Sequence, residues 1–187
     1  IAANNVLAHV PAVNDFVAGL AVLAGPRGVV SIEVPHLLRL VDGVQFDTIY
    51  HEHYAYWSLL SMERLLARHG LCVFDVERLA THGGSLRVLS CAAEHQPTPG
   101  LPYVRAEEAG RGLDRRDFYA GFDARVRTTL AGFGAWLDAA LRDGRRIGAY
   151  GAAAKGNTFL NAAGTRAPAI LAVADRSPAK QGRLLPG

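Results

Sequence analysis

The chain has 187 residues, half of them hydrophobic, with 20% charged residues and a formal net charge of +3. This length suffices for one large domain or two small ones. The basic residues are scattered, which argues against a nucleic-acid partner, and no stretch is long and apolar enough to span a bilayer. Cys72 and Cys91 lie in apolar runs typical of strands, so we interpret them as buried, reduced thiols of a cytoplasmic protein rather than as a disulfide.

The two ends of the chain look like cuts within a longer sequence. The chain begins IAANNV, without an initiator Met, and stops at GRLLPG directly after a predicted strand and turn. Native termini usually trail off in polar residues. We therefore expect an internal piece of a longer protein.

The first half of the chain predicts helices that alternate with strands. Residues 13–24 carry a stripe of apolar side chains at helical spacing and predict a helix that ends at Gly25. The run VVSIEV (29–34) is typical of a strand buried on both faces. Ser61 is placed to cap a second helix, which ends at Gly70. The first stripe consists of Val13, Phe16, Val17, Leu20 and Leu23, and the second of Met62, Leu65 and Leu66.

Two further strands are predicted at LCVFDVERL and SLRVLSCA, joined by the turn-forming THGG. This link is too short for a crossover connection, so the two strands must be antiparallel. Residues 1–92 therefore predict a parallel α/β sheet whose last strand returns by a hairpin.

The second half begins with residues 93–114, whose Pro, Gly and Glu content we interpret as a linker. A long helix is predicted from Arg115 to Arg142. Its apolar positions are Phe118, Phe122, Val126, Leu130, Phe133, Leu137 and Leu141. The segments RIGAYGAAAKGNTFLNAAG and AILAVADRSPAKQGR then predict strand, Gly-rich loop, helix and strand, which open a second α/β unit within residues 115–187.

Residues 45–57, QFDTIYHEHYAYW, crowd proton-handling side chains shortly after a buried strand. Ligands of open α/β sheets bind outside the carboxyl ends of strands. An imidazole titrates near neutrality, a carboxylate can orient it, and a tyrosine can donate to an oxyanion. A polar surface turn with partly buried aromatic residues accounts for the same composition. A metal site at His51 and His53 would lack a third ligand at a suggestive spacing.

The Gly-rich loop GAYGAAAKGNT (148–158) separates a predicted strand from a predicted helix. Amides of residues 153–157 could bind an anion at the helix N-terminus, with Lys155 adding charge. A tight turn that needs small residues explains the loop equally well. Asp175 ends the next strand, where an acidic residue often meets a ribose hydroxyl, although it could equally cap the following segment.

His9 and Arg87 are weaker candidates on composition alone. His9 precedes a helix, and a lone histidine there is more often structural. Arg87 follows Gly83 and Gly84 in THGGSLR and is either exposed or directed into a cleft. A bulge or hairpin turn explains the two glycines without any function.

These segments together resemble one family. ANNVLAHV, VPHLL, QFDTIYHEHYAYWSL, HGGSLR, GAYGAAAKGNT and VADRSPAKQGRLLPG, in this order, are similar to the S-adenosylmethionine-dependent sugar C-methyltransferases. Members of that family act on nucleotide-linked 4-keto-deoxysugars in antibiotic biosynthesis. The resemblance covers essentially the whole chain.

The resemblance implies an architecture for the chain. Residues 1–92 would form the second half of a class I methyltransferase sheet with its antiparallel last strand, and residues 115–187 the first part of a Rossmann-like C-terminal domain. The glycine-rich cofactor loop and an amino-terminal zinc domain with cysteine ligands would lie outside this chain, which itself would hold no metal. Residues 1–187 alone would then not methylate, and the full-length protein would be a monomer.

The resemblance also implies a chemistry, methylation at carbon 3 of a dTDP-linked 4-keto-deoxysugar through an enolate. His53 would be the base, Glu52 and Tyr50 would assist it or hold the sugar, His9 would lie near the same substrate, and Asn5 would approach S-adenosylmethionine. The implied substrate-binding residues are Gly151, Ala153, Lys155, Gly156, Asn157, Thr158, Asp175 and Arg87.

Two alternatives stay open at this point. One is a methyltransferase that acts on an oxygen or nitrogen acceptor. The other is a non-catalytic nucleotide-binding module built on the Gly-rich loop and Asp175. The cluster YHEH argues against the module, because a passive binder needs no base beside two tyrosines.

Overall fold

The computed structural model describes residues 1–93, 95–164 and 169–185. They form two compact units. The first comprises residues 1–45 and 51–120, and the second comprises residues 46–50 and the described chain from 121 onward. Each unit contains helices and a sheet, so the predicted α/β class is confirmed.

The first unit is built on a four-stranded mixed sheet. Its strands are β1 (Ala2–Asn4), β2 (Val29–Pro35), β3 (Cys72–Leu79) and β4 (Ser85–Cys91). Their order is β1-β2-β4-β3; β1 and β2 are parallel, and β4 is antiparallel to both of its neighbours. The antiparallel pairing predicted from the short THGG link is therefore confirmed.

The turn between β3 and β4 depends on its glycines. Gly83 and Gly84 have φ values of +82° and +114°, which residues with a Cβ atom rarely adopt. The turn therefore reverses the chain within a few residues and sets β4 between β2 and β3.

The α-helices described in this unit are α1 (Val13–Ala24), α2 (Leu37–Asp42), α3 (Leu59–Ala67) and α4 (Gly100–Arg111). Burial of the apolar sides of α1, α3 and α4 against the sheet provides the main stabilisation of this unit. The core includes Leu7, Val17, Leu20, Val30, Ile32, Leu59, Met62, Leu66, Leu86, Val88, Leu101 and Val104.

Two details of the predicted helices are corrected. Leu23 is 76% exposed, because the buried stripe of α1 ends one turn before the helix does. The N-cap of α3 is Ser58 rather than Ser61. The Ser58 hydroxyl accepts from the Ser61 amide at 3.1 Å, and the Ser61 hydroxyl accepts from the Ser58 amide at 3.0 Å, so Ser61 is the reciprocal partner in a capping box.

The segment 93–114, interpreted as a linker, contains α4. Leu101 and Val104 of this helix lie in the main core. Its Pro and Gly residues mark helix ends: Pro99 precedes the first turn, and Gly112 has a left-handed conformation after the last. The helix α2 was not predicted either, since it is only six residues long.

The second unit contains α5 (Phe122–Arg142), β5 (Ile147–Tyr150), α6 (Ala154–Ala163) and β6 (Ile170–Ala174). The strands β5 and β6 are parallel, so the predicted order of strand, Gly-rich loop, helix and strand is confirmed. The single helix predicted from Arg115 is wrong at its start, where Gly121, with φ of +76°, precedes α5. None of the helices described is long and apolar enough to cross a membrane.

The two cysteines differ in exposure. Cys91 is buried in β4, whereas Cys72, its partner across the ladder, is exposed at the start of the edge strand β3. The prediction of two buried thiols is therefore wrong for Cys72. Both thiols are free. Burial raises the pKa of Cys91, and its thiol donates a hydrogen bond to the carbonyl of Ala93.

We expect alkylating reagents to modify Cys72 several-fold faster than Cys91 near neutral pH. The thiolate is the reactive form, so a buried thiol with a raised pKa reacts more slowly. Peptide mass spectrometry after timed iodoacetamide treatment of the native protein measures both rates, and the urea-unfolded protein, in which the rates should converge, is the control. Equal rates in the native protein would contradict the assigned burial.

Candidate active site

Two histidines that are distant in the sequence meet beside the carboxyl end of β1. His9 closes a short 3-10 helix, Leu7–His9, that follows this strand. The amide of Tyr54 donates to the carbonyl of Ala8 at 2.8 Å, which holds the HEH segment (residues 51–57) against that 3-10 helix. The ring centroids of His9 and His53 are 4.6 Å apart. The structure therefore brings together two residues that the family resemblance assigns to one substrate.

The neighbours of His53 in the sequence occupy different environments. The Tyr56 ring lies edge-on to the His53 ring, with centroids 6.1 Å apart. The carboxylate of Glu52 is 3.9 Å from His51, and both side chains are largely exposed. Tyr50 belongs to the second unit, where its amide donates to the carbonyl of Thr48 at 3.1 Å. The catalytic roles of Tyr50 and Glu52 stay predictions.

Asn5 and Glu33 form a polar pair at the carboxyl ends of β1 and β2. Asn5 has φ of +54°, and its amide donates to the carbonyl of Glu33 at 2.8 Å. Its side chain also hydrogen-bonds the Glu33 carboxylate. The Asn5 Oδ1 atom is buried and has no hydrogen-bond partner among the described residues. A buried acceptor without a donor is costly in free energy, so this atom fits a ligand that supplies a donor.

The Glu33 carboxylate is only 6% exposed. Burial by itself raises its pKa, but hydrogen bonds from Thr81, Arg87 and Asn5 outweigh burial and hold the pKa below its ordinary value. Glu33 is thus ionised at neutral pH. Glu33 could not be identified from the sequence, because one carboxylate inside the apolar run VVSIEV forms no motif.

Arg87 lies in a row of charges that crosses the sheet. It is directly opposite Glu33 on β2 and Glu77 on β3. Its guanidinium contacts these carboxylates at 3.3 and 3.0 Å. Cross-strand pairing alone accounts for this position, and a substrate contact by Arg87 stays a prediction.

The Gly-rich loop of the second unit is tied to the end of β6. The amide of Gly151, which has φ of +95°, donates to the carbonyl of Ala174 at 2.7 Å. The Asp175 carboxylate accepts from the amide of Ala152 at 2.7 Å, and the ammonium of Lys180 donates to the Ala152 carbonyl at the same distance. Asp175 and Lys180 therefore clamp Ala152 from both sides.

Backbone donors dominate the environment of Asp175. The amides of Ser177 and Ala152, helped by the nearby Lys180 ammonium, hold the pKa of this carboxyl below its ordinary value. Asp175 thus orders the loop whether or not it also contacts a ribose, and the ribose contact stays a prediction. Lys180 was not identified from the sequence, where a single lysine in a polar turn carries no signal.

A cavity of about 310 Å³ lies where the loop enters α6. Ala153 precedes this helix without a side-chain cap. The Asn157 Oδ1 atom is buried and has no partner within the described chain. The Thr158 hydroxyl instead donates to the Ala154 carbonyl at 3.1 Å, inside α6. Polar or small residues that line the cavity include Asp47, Tyr150, Gly151, Lys155, Gly156 and Asn157.

Comparison with known proteins identifies the family. The family model described as the C-methyltransferase C-terminal domain matches residues 80–187. The chain belongs to the C-methyltransferase family. It is also 36% identical over 182 residues to the C-methyltransferase NovU of Streptomyces niveus, in an alignment that covers 96% of this chain and 43% of NovU. The chain thus spans less than half the length of this relative.

The family match divides the candidate residues of this C-methyltransferase chain into two groups. Residues 80–187 include Arg87, the Gly-rich loop and Asp175, whereas His9 and His53 precede the matched region. Among residues 1–93, 95–164 and 169–185, no group of three His, Cys, Asp or Glu side chains is placed to hold a metal ion.

Proposed function

We propose that the full-length protein methylates carbon 3 of a dTDP-linked 4-keto-deoxysugar with S-adenosylmethionine as methyl donor. The observation that carries this proposal is the contact between His9 and His53 beside the carboxyl end of β1, in a chain of the C-methyltransferase family. The strand order β1-β2-β4-β3 with an antiparallel β4 is consistent with the second half of a class I methyltransferase sheet.

The proposed reaction begins with removal of a proton. His53, as a neutral imidazole, accepts the proton from carbon 3, and the electron pair of the C–H bond moves onto the neighbouring ketone oxygen as an enolate. The enolate makes carbon 3 nucleophilic toward the methyl group that S-adenosylmethionine would supply, with the electron pair of the methyl–sulfur bond left on the sulfur. His9 lies against the His53 ring and restricts where a sugar can bind. Tyr50 and Glu52 assist the base or hold the sugar.

S-adenosylmethionine supplies an electrophilic methyl group when bound. In this chain Asn5 can contact the cofactor through one atom. Its buried Oδ1 lacks a donor among the described residues, whereas its side-chain amide is hydrogen-bonded to Glu33. We propose that Asn5 accepts a hydrogen bond from this cofactor. The glycine-rich cofactor loop and the zinc site are proposed to lie outside this chain.

The pyrophosphate of the sugar nucleotide is proposed to bind at the N-terminus of α6. The first amides of the helix, from Ala154 to Gly156, have no side-chain cap, and such amides favour anions. Lys155 lines the adjacent cavity and adds a positive charge. The clamp on Ala152 from Asp175 and Lys180 keeps the loop in one conformation, which lowers the entropy lost on binding.

Incubating the full-length protein with candidate nucleotide sugars and S-adenosylmethionine in deuterated water tests the function. The expected result is a methyl mass gain, with the new methyl group on carbon 3 in NMR spectra of the product, and solvent exchange at carbon 3 of the substrate when the methyl donor is omitted. A product with the methyl group on oxygen or nitrogen would indicate a different acceptor. Binding without either reaction would indicate a nucleotide-binding module.

Replacing Lys155 by Ala should weaken sugar-nucleotide binding about fivefold, which corresponds to about 1 kcal/mol. Affinity for S-adenosylmethionine should not change. Isothermal calorimetry on the full-length protein measures both affinities. Arg145→Ala is a matched control, since it removes an exposed cation that pairs with Asp143 at 3.8 Å. Unchanged binding by Lys155→Ala would remove this lysine from the site.

A further inference from the structure

A buried carboxylate connects three elements of the first unit. Glu108 on α4 is 4% exposed, and His36, directly after β2, is 1% exposed. The ring Nε2–H of His36 donates to Glu108 Oε1 at 2.8 Å. The same carboxylate accepts from the amide of Leu59 at 2.6 Å and from the amide of Leu60 at 3.0 Å. Glu108 therefore binds the first two amides of α3 from a distant helix.

This contact is additional to an ordinary cap. Ser58 and Ser61 already form a capping box at the start of α3. Burying a carboxylate and an imidazole costs free energy that an apolar pair would avoid. The capping box serves only the amides of Ser58 and Ser61, so Glu108 also supplies the acceptor that the amides of Leu59 and Leu60 would otherwise lack. Because this acceptor comes from α4, it fixes the start of α3 to another element, which a local cap cannot do.

The contact lies at the carboxyl end of the HEH segment. Trp57 is the last residue of that segment before the cap, and its carbonyl accepts from the amide of Leu37 at 2.8 Å. His36 pairs with Trp57 in an isolated bridge, and its amide donates to the carbonyl of Gly84 at 3.0 Å. His36 and Glu108 therefore fix residues 57–60 to the end of β2, four residues after His53.

We propose that Glu108 and His36 are positioning residues that hold the segment 51–57 so that the His53 imidazole stays in place beside His9. This inference rests on the proposed function, because it assigns to the pair a role in the reaction that His53 performs. A second constraint on the same segment is the hydrogen bond from the amide of Tyr54 to the carbonyl of Ala8. Both constraints lie directly after His53 in the chain, at residue 54 and at residues 57–60, and together they fix the backbone that leaves the proposed base.

The test uses Glu108→Gln in the full-length protein. A glutamine retains one oxygen acceptor but cannot serve the His36 ring and both amides as a carboxylate does. A small displacement of a catalytic group can lower a rate by up to ~10²-fold. We expect carbon 3 exchange to fall by roughly 10–100-fold, with the dissociation constants of the sugar nucleotide and of S-adenosylmethionine unchanged. The His53 ring resonance should shift in NMR spectra.

The matched control is Glu107→Gln on the same helix. Glu107 pairs with Arg39 at 2.5 Å and does not bind the amides of α3. This variant should keep the exchange rate and the His53 resonance of the unsubstituted protein. Thermal unfolding and cofactor binding show whether each variant is folded. If Glu108→Gln is unfolded, His36→Leu gives the same comparison, because it removes the ring and leaves the amide contacts of Glu108.

Repeating Glu108→Gln in a His53→Asn background separates positioning from general stability. A residue that acts only through His53 has no further effect on exchange once that imidazole is gone. An equal loss in both backgrounds, or an unchanged rate in the single variant, would overturn the proposal. If His53→Asn itself leaves exchange unchanged, the proposed base is wrong, and the NMR shift of His53 in Glu108→Gln still decides whether Glu108 positions it.

Discussion

Replacing His53 by Asn in the full-length protein is expected to reduce methyl transfer and carbon 3 exchange to the small residual rate that remains without a positioned base. A positioned general base contributes ~10²–10⁴-fold to the rate, and asparagine keeps a polar side chain of similar size without a basic nitrogen. The ring centroids of His53 and His9 are 4.6 Å apart, and His53 is not among the residues proposed to contact the cofactor. Affinity for S-adenosylmethionine should therefore be nearly unchanged. Exchange is followed by NMR in deuterated water and cofactor affinity by calorimetry.

His51→Asn makes this experiment specific to one histidine. The His51 side chain is 88% exposed and lies beside Glu52, in the same segment as His53. This variant should retain most of the exchange activity. If His51→Asn abolishes exchange and His53→Asn does not, the base has been assigned to the wrong imidazole of the segment.

The fold was predictable where one local signal determined the structure. The turn THGG predicted the hairpin of β3 and β4 because Gly83 and Gly84 adopt positive φ values that other residues avoid. The segment from β5 to β6 was predictable because a short strand leads into a Gly-rich loop and a helix, and a second short apolar strand follows. In both places the deciding signals are local in the sequence.

Helix α4 was missed because its decisive contacts are tertiary. Its Pro and Gly residues resemble those of a linker, and only the burial of Leu101, Val104 and Glu108 shows that the segment packs on the core. A one-dimensional pattern does not distinguish glycines that end a helix from glycines that prevent one.

The candidate site was predictable only in its parts. The residue types of YHEH suggested proton transfer, but the proximity of His9 and His53 arises from the packing of the segment 51–57 against the turn after β1. No local pattern encodes a contact between residues so far apart. The same reason explains why Glu33 and Glu108, which act through partners on other elements, were not identified.

Gly156 offers the second large effect, because the fold leaves room for a side chain at this position. It lies in the first turn of α6 and lines the cavity of about 310 Å³. A Cβ atom at this position would be 3.8 Å from the carbonyl oxygen of Gly151, an ordinary van der Waals contact. Alanine is also the better helix former. Gly156→Ala should therefore leave the free energy of unfolding unchanged or raise it.

Binding should respond in the opposite direction. If the pyrophosphate approaches the backbone at Gly156, an added methyl group overpacks the site at a cost of about 1–3 kcal/mol. Affinity for the sugar nucleotide should then fall roughly 5–150-fold. Gly132→Ala in the middle of α5 is the matched control, because a Cβ there meets no atom within 4 Å. It should stabilise the protein by roughly 0.5–1 kcal/mol and leave affinity unchanged. Calorimetry and thermal unfolding on the full-length variants measure both quantities. Wild-type affinity in a folded Gly156→Ala protein would mean that no ligand lies against the first turn of α6, and the pyrophosphate would have to bind elsewhere.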